Sequence, residues 1–340
     1  MKIALIGFGV VGQGLAQILR DKASELADHE GFTGQIVALA TQRRGSLYSP
    51  NGLDAAQLLD AIAQGHLDHY APARSLERGW SVEQIIADSG ADVVVEASPT
   101  NLQTGQPALD TCRAAFASGK HVVLANKGPV AVAYDELSEA ARAAGTLLRF
   151  EGTVMAGTPS LRLALEALAG CRIHEARGII NGTTNYILTQ METGMRYDEA
   201  LQQAQQFGYA EADPTADVDG WDAAGKAIIL AAALYHRRLT LDQIEVEGIR
   251  GITSAEIADA QEAGERWKLI AHVTPDGASV TPQRIALTHP LASVSGSSNA
   301  ITYSTDLLGD VTLVGPGAGR LQTGFALLSD LLDIHRRTGI

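Results

Sequence analysis

The stretch Lys2-Ile-Ala-Leu-Ile-Gly-Phe-Gly-Val-Val-Gly12 decides the fold of the first part of the chain. Residues 2–6 are an apolar run that predicts a buried strand, and the spacing from Val10 to Ala27 predicts a helix. The six residues between them, Gly7, Phe8, Gly9, Val10, Val11 and Gly12, form a G-x-G-x-x-G turn. In this context the turn indicates dinucleotide binding, with the pyrophosphate at the helix N-terminus. A glycine-rich packing turn that binds nothing is the alternative.

No charged residue lies between Ile3 and Leu19, which is also a feature of signal peptides that direct export. Four glycines and two glutamines interrupt this stretch, and no small-x-small cleavage site precedes Arg20. Both features argue against a signal peptide.

Composition narrows the classes of function. The 340 residues carry a net charge of −13, which argues against nucleic acid or an anionic membrane as the main partner. The length corresponds to about two domains at the usual size. Cys112 and Cys171 are too few for a disulfide framework and lack metal-site spacing, so we expect a reducing, cytoplasmic setting.

Strand and helix patterns alternate up to residue 150. Further strands are expected at 36–40, 92–96, 121–124 and 147–150, and helices near 54–63, 82–88, 106–118 and 134–144. Apolar strands with helical crossovers predict a doubly wound parallel sheet of the Rossmann type, hence an α/β domain over 1–150.

The pattern changes after Glu151. Helices are expected at 159–169, 183–192, 198–207 and 220–236, and strands at 172–180, 244–249, 267–274, 278–287 and 299–306. Grouped strands predict an antiparallel sheet, so we expect an α+β catalytic and dimerisation domain over 151–309. Residues 310–314, the turn Gly315–Gly319 and a helix over 321–336 repeat the N-terminal pattern. We therefore assign 310–340 to the first domain.

The end of the second predicted strand indicates which dinucleotide is preferred. An NAD site usually has a carboxylate there, but the sequence reads Ala40-Thr-Gln-Arg-Arg-Gly45. Guanidinium groups suit a 2′-phosphate, so Arg43 favours NADP, with NAD still possible. Paired arginines also occur on solvated loops.

Residues 211–226 carry five carboxylates in twelve residues, followed by Lys226. A solvated acidic loop is the simplest interpretation, and an EF-hand is excluded because position twelve falls on the lysine. Asp222 and Lys226 share one face of a helix that begins near Gly220. A lysine entering a buried helix beside a carboxylate suits proton transfer, but an ordinary surface ion pair fits the spacing equally well.

Two further polar groups follow predicted strands of the first domain. Lys127 comes shortly after the strand 121–124, and Thr100 after the strand 92–96. Ligands bind at the carboxyl ends of parallel strands, so both are expected to face the cofactor. Helix capping is the commoner use of such turns.

Taken together, these segments make the sequence resemble homoserine dehydrogenases. The matching blocks are 7–12, 126–127, 151–159, 178–188, 210–226, 290–300 and 315–319. They span nearly the whole chain in the family's order, and the blocks 178–188 and 210–226 are the specific ones.

The resemblance implies NAD(P)-dependent interconversion of L-homoserine and L-aspartate 4-semialdehyde, on the route to threonine, methionine and isoleucine. It suggests Lys226 and Lys127 as the proton-handling pair, with Asp222 orienting Lys226. The substrate would lie near a set of four residues: Glu211, Gly182, Thr183 and Asp217. Thr100, Lys127 and Gly319 would line the cofactor site.

The resemblance also implies a monovalent-cation site, usually sodium, held mostly by backbone carbonyls. The matching positions are Glu151, Val154, Ala156 and Thr158. A homodimer is expected, and threonine feedback is not, because the sequence ends at Ile340 without room for a regulatory ACT or aspartate kinase domain.

Two alternative functions fit parts of the sequence less well. An aspartate-semialdehyde dehydrogenase, or another NADP-dependent enzyme of that kind, would need a cysteine nucleophile, and neither cysteine lies in a matching motif. A catalytically silent NADP-binding regulator would lack the two lysines, and both are present.

Overall fold

A sheet of seven strands forms the first structural unit of the chain, in a computed structural model that describes residues 1–340. Its strands are β1 (Lys2–Ile6), β2 (Gln35–Ala40), β3 (Ser46–Tyr48), β4 (Glu77–Arg78), β5 (Val93–Glu96), β6 (His121–Leu124) and β7 (Leu148–Arg149). The strand order is β4-β3-β2-β1-β5-β6-β7. Order reverses on either side of β1, which is where open parallel sheets bind their ligands.

Five of these strands, β2, β1, β5, β6 and β7, are parallel, as the apolar runs predict, and the three central ones are almost wholly buried. The predicted parallel sheet is extended at one edge by two strands that the sequence did not indicate, since β3 pairs antiparallel with both β2 and β4. These two strands have only three and two residues, too few for a period to be visible in the sequence.

Six helices accompany the sheet up to residue 143. They are α1 (Val10–Asp21), α2 (Ala23–Glu30), α3 (Ala55–Ala63), α4 (Val82–Asp88), α5 (Ala108–Ala117) and α6 (Lys127–Ala143). The single helix expected over 10–27 is broken at Lys22, which leaves helical geometry. Helix α6 begins seven residues earlier than expected, directly at Lys127, because Asn126 caps it.

A second sheet of six strands forms the other unit. Its strands are β8 (Ile173–Ile179), β9 (Glu245–Val246), β10 (Glu265–Thr274), β11 (Gly277–Ala286), β12 (Ser298–Thr305) and β13 (Gly309–Pro316). The order is β13-β12-β8-β10-β11-β9, and every pair is antiparallel except β9 with β11. The expected antiparallel sheet is therefore confirmed.

The helices of this second unit include one that is almost wholly buried. They are α7 (Ser160–Arg162, continued as a π-helical turn over Leu163–Ala167), α8 (Gly182–Glu192), α9 (Tyr197–Gln206), α10 (Thr215–Val218), α11 (Trp221–Tyr235) and α12 (Ser254–Glu262). Helix α11 is buried from Ala223 to Ala233. Helices α10 and α12 are absent from the sequence prediction.

The chain returns to the first unit only at its last helix, α13 (Arg320–Thr338). The two compact units are residues 1–157 with 319–340, and residues 158–318. The expected boundary near 310 differs from this division, because β13 pairs with β12 in the second sheet. Helix α13 packs on α1 through glycines, since a Cβ on Gly324 would lie 2.6 Å from the carbonyl carbon of Gly14.

No helix has the length and hydropathy needed to span a bilayer. Both cysteines are free thiols, Cys112 buried and Cys171 partly exposed.

Candidate functional site

The glycine turn of the first unit has the backbone geometry of a phosphate-binding turn. Gly7 follows β1 with φ of +96°, a conformation that favours glycine, and its N–H donates to Ala40 O at 2.8 Å. A Cβ on Gly12 would lie 2.5 Å from Gly7 O, so α1 approaches the turn as closely as a glycine permits. The turn thus places the N-terminus of α1 at the carboxyl end of β1.

The space in front of this turn is open. Gly9 is the residue before α1, and a Cβ built on it would meet no atom within 4 Å. Phe8 is buried in the core, whereas Val10 is exposed. One side of the turn therefore packs against the protein, and the other side is accessible to a ligand. This cradle fits the pyrophosphate of a dinucleotide, whose charge the free N–H groups of the first helical turn would offset.

A cleft of about 550 Å³ lies at the end of β2, and Arg43 is part of its lining. The Arg43 side chain is exposed, and the structure gives it no hydrogen bond or ion pair. Arg78 and Trp80 line the same cleft, with Trp80 stacked on Tyr48 at 4.0 Å between ring centroids. The Asp68 carboxylate also lies there, 3.7 Å from the Arg78 guanidinium. The sequence prediction did not anticipate that carboxylate.

Lys127 and Thr100 lie together in the first unit. The Lys127 N–H donates to Thr100 Oγ1 at 3.3 Å. Asn126 caps α6 by accepting from Gly128 N at 2.9 Å, and its Nδ2 donates to Ser98 Oγ and Pro99 O, each at 3.2 Å. These hydrogen bonds connect the segment after β5 to the segment after β6. The same residues therefore cap a helix and lie at the carboxyl ends of parallel strands, so the two interpretations of these turns are compatible.

Gly319 lies directly before α13, with φ of +130°. The next residue, Arg320, contacts Gly14 through its carbonyl group. The structure thus brings Gly319 close to the first helix of the glycine turn, within one unit.

The central feature of the second unit is the junction between β8 and α8. Asn181 caps α8, because its Oδ1 accepts from Thr184 N at 2.9 Å. Its Nδ2 points the other way and donates to Asp217 Oδ1 at 2.7 Å and to Asp222 Oδ2 at 3.1 Å. One buried amide therefore holds two carboxylates from the acidic segment.

Lys226 completes this cluster. Its Nζ lies 2.8 Å from Asp222 Oδ2 and donates to Ile180 O at 2.7 Å. Lys226 is 6% exposed, so the four-residue spacing forms an ion pair that is buried on the lysine side and not an ordinary surface pair. The Asp222 side chain keeps 22% of its surface exposed, which leaves the pair an opening to solvent or ligand.

Asp217 is the carboxylate of this cluster whose pKa is raised. Burial raises the pKa of Asp217 above its ordinary value, and the charge of Asp222 adds to that rise, while the hydrogen bond from Asn181 opposes it. A cationic ligand placed beside Asp217 would offset the repulsion between the two carboxylates.

The other residues expected at the substrate lie around the same junction. Gly182 begins α8, and Thr183 Oγ1 donates to Tyr209 O at 2.7 Å, two residues before Glu211. The Glu211 carboxylate is exposed, and no hydrogen bond or ion pair joins it to the Asn181 cluster.

Asn181 is the site residue that sequence reasoning missed. Its two carboxylate partners lie 36 and 41 residues further along the chain. The one available signal is an asparagine between a strand and Gly-Thr-Thr, which predicts a helix cap but not the second role.

The residues expected to hold a cation are divided between the two units. Glu151, Val154 and Ala156 belong to the first, where Glu151 is 4% exposed and Ala156 has φ of +48°. Thr158 belongs to the second, and its Oγ1 donates to Pro316 O at 2.9 Å. No group of three acidic, histidine or cysteine side chains suited to a metal occurs in the chain.

Two family models match the chain. The model described as the homoserine dehydrogenase NAD binding domain matches residues 7–151, and the model described as homoserine dehydrogenase matches residues 159–332. The second model alone covers more than half of the 340 residues.

The chain belongs to the homoserine dehydrogenase family. It is 44% identical to an NAD(+)-dependent homoserine dehydrogenase of Pseudomonas canavaninivorans, with 98% of this chain and 96% of that protein covered. It is 40% identical to a homoserine dehydrogenase of Methanocaldococcus jannaschii, with 99% of each covered.

Solved homoserine dehydrogenase structures share the fold. A putative homoserine dehydrogenase from Archaeoglobus fulgidus matches with a TM-score of 0.87 and 35% identity, over 98% of this chain and 99% of that one. A hyperthermophilic archaeal homoserine dehydrogenase in complex with NADPH matches with a TM-score of 0.83 and 29% identity, over 99% and 98%.

Membership of the homoserine dehydrogenase family confirms two sequence predictions. The chain is an α/β protein with a Rossmann-type domain and a second sheet domain. It is an oxidoreductase that acts on a CH–OH group with a nicotinamide cofactor. Neither aspartate-semialdehyde dehydrogenase nor a silent regulator is favoured by these matches.

Proposed function

We propose that Lys226 is the acid/base group of this homoserine dehydrogenase. The observation that carries the proposal is its buried ammonium, held between Asp222 and Ile180 O at the β8–α8 junction. During oxidation the neutral amine form of Lys226 accepts the proton of the substrate hydroxyl and becomes the ammonium, and during reduction the ammonium returns that proton to the alkoxide oxygen. The nicotinamide, when bound, accepts or supplies the hydride. Asp222 orients the lysine through its 2.8 Å contact.

The substrate is an amino acid, so its ammonium group needs carboxylates. Asp217 and Glu211 are proposed to bind it, with Gly182 and Thr183 beside the rest of the molecule. Support comes from the burial of Asp217, which disfavours the charge of its carboxylate and which a cation beside it would offset. The exposed Glu211 carboxylate has no competing partner.

Lys127 is proposed as the second proton-handling group. Lys127 is the first residue of α6, at the carboxyl edge of the first sheet, and its backbone N–H donates to Thr100. Lys127, Thr100 and Gly319 would line the cofactor together with the glycine turn 7–12.

We propose NADP as the preferred cofactor. Arg43 supports this, since it lines a cleft at the end of β2 and its guanidinium has no partner there. Asp68, in the same cleft, supports NAD as the second candidate because a carboxylate can accept from a ribose 2′-hydroxyl. The two names among the relatives differ in the same way, one NAD(+)-dependent and one in complex with NADPH.

A sodium ion and a homodimer complete the proposal. The buried Glu151 carboxylate and the carbonyls of Val154 and Ala156 supply the hard oxygen ligands that such an ion prefers, with Thr158 as a further candidate. Light scattering on the purified protein tests the dimer, and kcat with sodium replaced by a large organic cation tests the ion. The route from aspartate to threonine, methionine and isoleucine is the proposed metabolic setting.

The deciding experiment is an assay at 340 nm with L-homoserine and each cofactor in turn. We expect turnover with both cofactors and a lower KM for NADP. The variant Asp222→Asn keeps the shape and hydrogen bond of the side chain but removes the charge, and should lower kcat by about tenfold to a hundredfold. If neither NAD nor NADP supports turnover, the activity is refuted. An unchanged kcat in Asp222→Asn would refute the role of the ion pair.

A further inference from the structure

Two buried asparagines of the second unit differ in their hydrogen bonding. Asn185 is 1% exposed, and its Nδ2 donates to Val294 O, Gly296 O and Ser298 O at 3.0 to 3.3 Å, while its Oδ1 accepts from Lys268. Asn299 is 0% exposed, and neither its Nδ2 nor its Oδ1 has a partner.

Asn299 lies between two glycines that belong to separate segments. A Cβ on Gly182, at the start of α8, would come within 3.3 Å of Asn299 Oδ1 and 2.5 Å of Ser297 O. A Cβ on Gly317, just after β13, would overlap Asn299 Nδ2. The amide therefore fills the space that side chains would take at both positions and fixes how close the two segments come.

An unpaired buried amide destabilises the folded protein. Leaving such a group without a partner costs about 1–3 kcal/mol, and an apolar group of the same shape would avoid that cost. Buried polar side chains are otherwise nearly always paired. The unpaired amide at Asn299 therefore points to partners that are gained in another state of the protein.

The start of α8 offers a site where a bound ligand would produce such a second state. Asn181 Oδ1 pairs with Thr184 N, so the N–H groups of Gly182 and Thr183 remain without an intrahelical acceptor. An anionic group of a ligand is favoured at such a helix end. Any small shift of Gly182 toward a ligand also changes its contact with Asn299.

We propose that Asn299 is a positioning residue for the substrate. Its amide supports Gly182 from behind, and it gains backbone partners at Gly182 or Gly317 when homoserine occupies the start of α8. Part of the substrate binding free energy then comes from pairing this amide. The inference rests on the substrate site proposed above.

The test compares Asn299→Leu with the matched variant Asn185→Leu. For Asn299→Leu we expect an unchanged or higher Tm in the free protein, because no hydrogen bond is lost. We also expect a smaller Tm rise on adding L-homoserine without cofactor, and an increase of about tenfold in the KM for homoserine. The KM for NADP should stay within about twofold. Asn185→Leu should lower the Tm of the free protein, because several hydrogen bonds are lost.

Asn299→Ala provides a second variant if leucine does not fit, and it should show the same rise in the KM for homoserine. Wild-type KM values and a wild-type Tm response to homoserine in both Asn299 variants would overturn the inference. A fall in Tm of Asn299→Leu equal to that of Asn185→Leu, with both KM values raised alike, would also overturn it. Failure of the wild-type chain to oxidise homoserine would instead refute the activity.

Discussion

Two lysines of the second unit are almost completely buried, but their surroundings differ. Lys226 contacts Asp222 at 2.8 Å, and that carboxylate is partly exposed. Lys268 is 0% exposed and donates to Val294 O at 2.8 Å and Asn185 Oδ1 at 3.1 Å, while its nearest carboxylate, Glu192, lies 3.9 Å away. Burial lowers the pKa of Lys268 from 10.5 to about 8.

Because both lysines are buried, burial alone does not distinguish the lysine proposed for proton transfer from the other one. Lys268 is enclosed by hydrogen-bonding groups of α8 and of the segment before β12, so it stabilises that segment. Lys226 has one close carboxylate that is itself open to ligand, next to a second carboxylate with a raised pKa. We therefore expect the substrate proton to be transferred at Lys226 and not at Lys268.

The largest effect is expected from Lys226→Met. Loss of the acid/base group should lower kcat for homoserine oxidation by about 10² to 10⁴. The control is Lys268→Met, which should keep kcat within about threefold while lowering the Tm. Equal losses of kcat in the two variants would remove the distinction between the lysines.

Asn181→Leu tests whether the lysine needs its asparagine-bound carboxylates. The variant loses donors at 2.7 and 3.1 Å to Asp217 and Asp222, so kcat/KM should fall by about tenfold to a hundredfold. It also loses the cap of α8, at a cost of about 1 kcal/mol. Asp54→Ala removes the cap of α3 and controls for that part, since its kcat/KM should be unchanged.

Arg43→Ala sharpens the comparison because it should change the affinity for NADP and leaves both lysines in place. The KM for NADP should rise about tenfold, because a charge-assisted contact to the 2′-phosphate is lost, while kcat and the KM for NAD stay the same. Arg44→Ala, at the neighbouring exposed arginine, is the matched control. A parallel rise of both KM values would contradict a role in phosphate recognition.

The smallest effect concerns stability and pH. Lys268 loses its proton near pH 8 in the folded protein but near 10.5 when unfolded, so the folded state binds fewer protons between these values. Its contribution to the free energy of unfolding therefore rises with pH in this window, by about 2 kcal/mol between pH 8 and 9.5. Urea unfolding at the two pH values should show this rise in the wild type and not in Lys268→Met.

Much of the fold follows from local sequence patterns. The β1 strand, its glycine turn and α1 are recognisable because strand and helix periods change within a few residues. Helix α11 is equally clear, and the four-residue spacing of Asp222 and Lys226 predicts the contact that the structure shows.

Long-range contacts could not be predicted in the same way. Asn181 reaches its carboxylates only because α8 packs beside α10, which leads into α11. Lys268 looks like an ordinary polar residue of a strand, since nothing near it in the sequence shows that Asn185 and Val294 will enclose it. The edge strands β3 and β4 are too short to carry a period.

The most direct test of the account is chemical rescue of Lys226→Ala and Lys268→Ala by methylamine in the 340 nm assay. A free amine can take over proton transfer only where the missing lysine performed it. The account predicts that kcat of Lys226→Ala rises with amine concentration, while that of Lys268→Ala does not respond. The same response in both variants, or a Lys226→Ala enzyme that reaches the wild-type rate without amine, would contradict it.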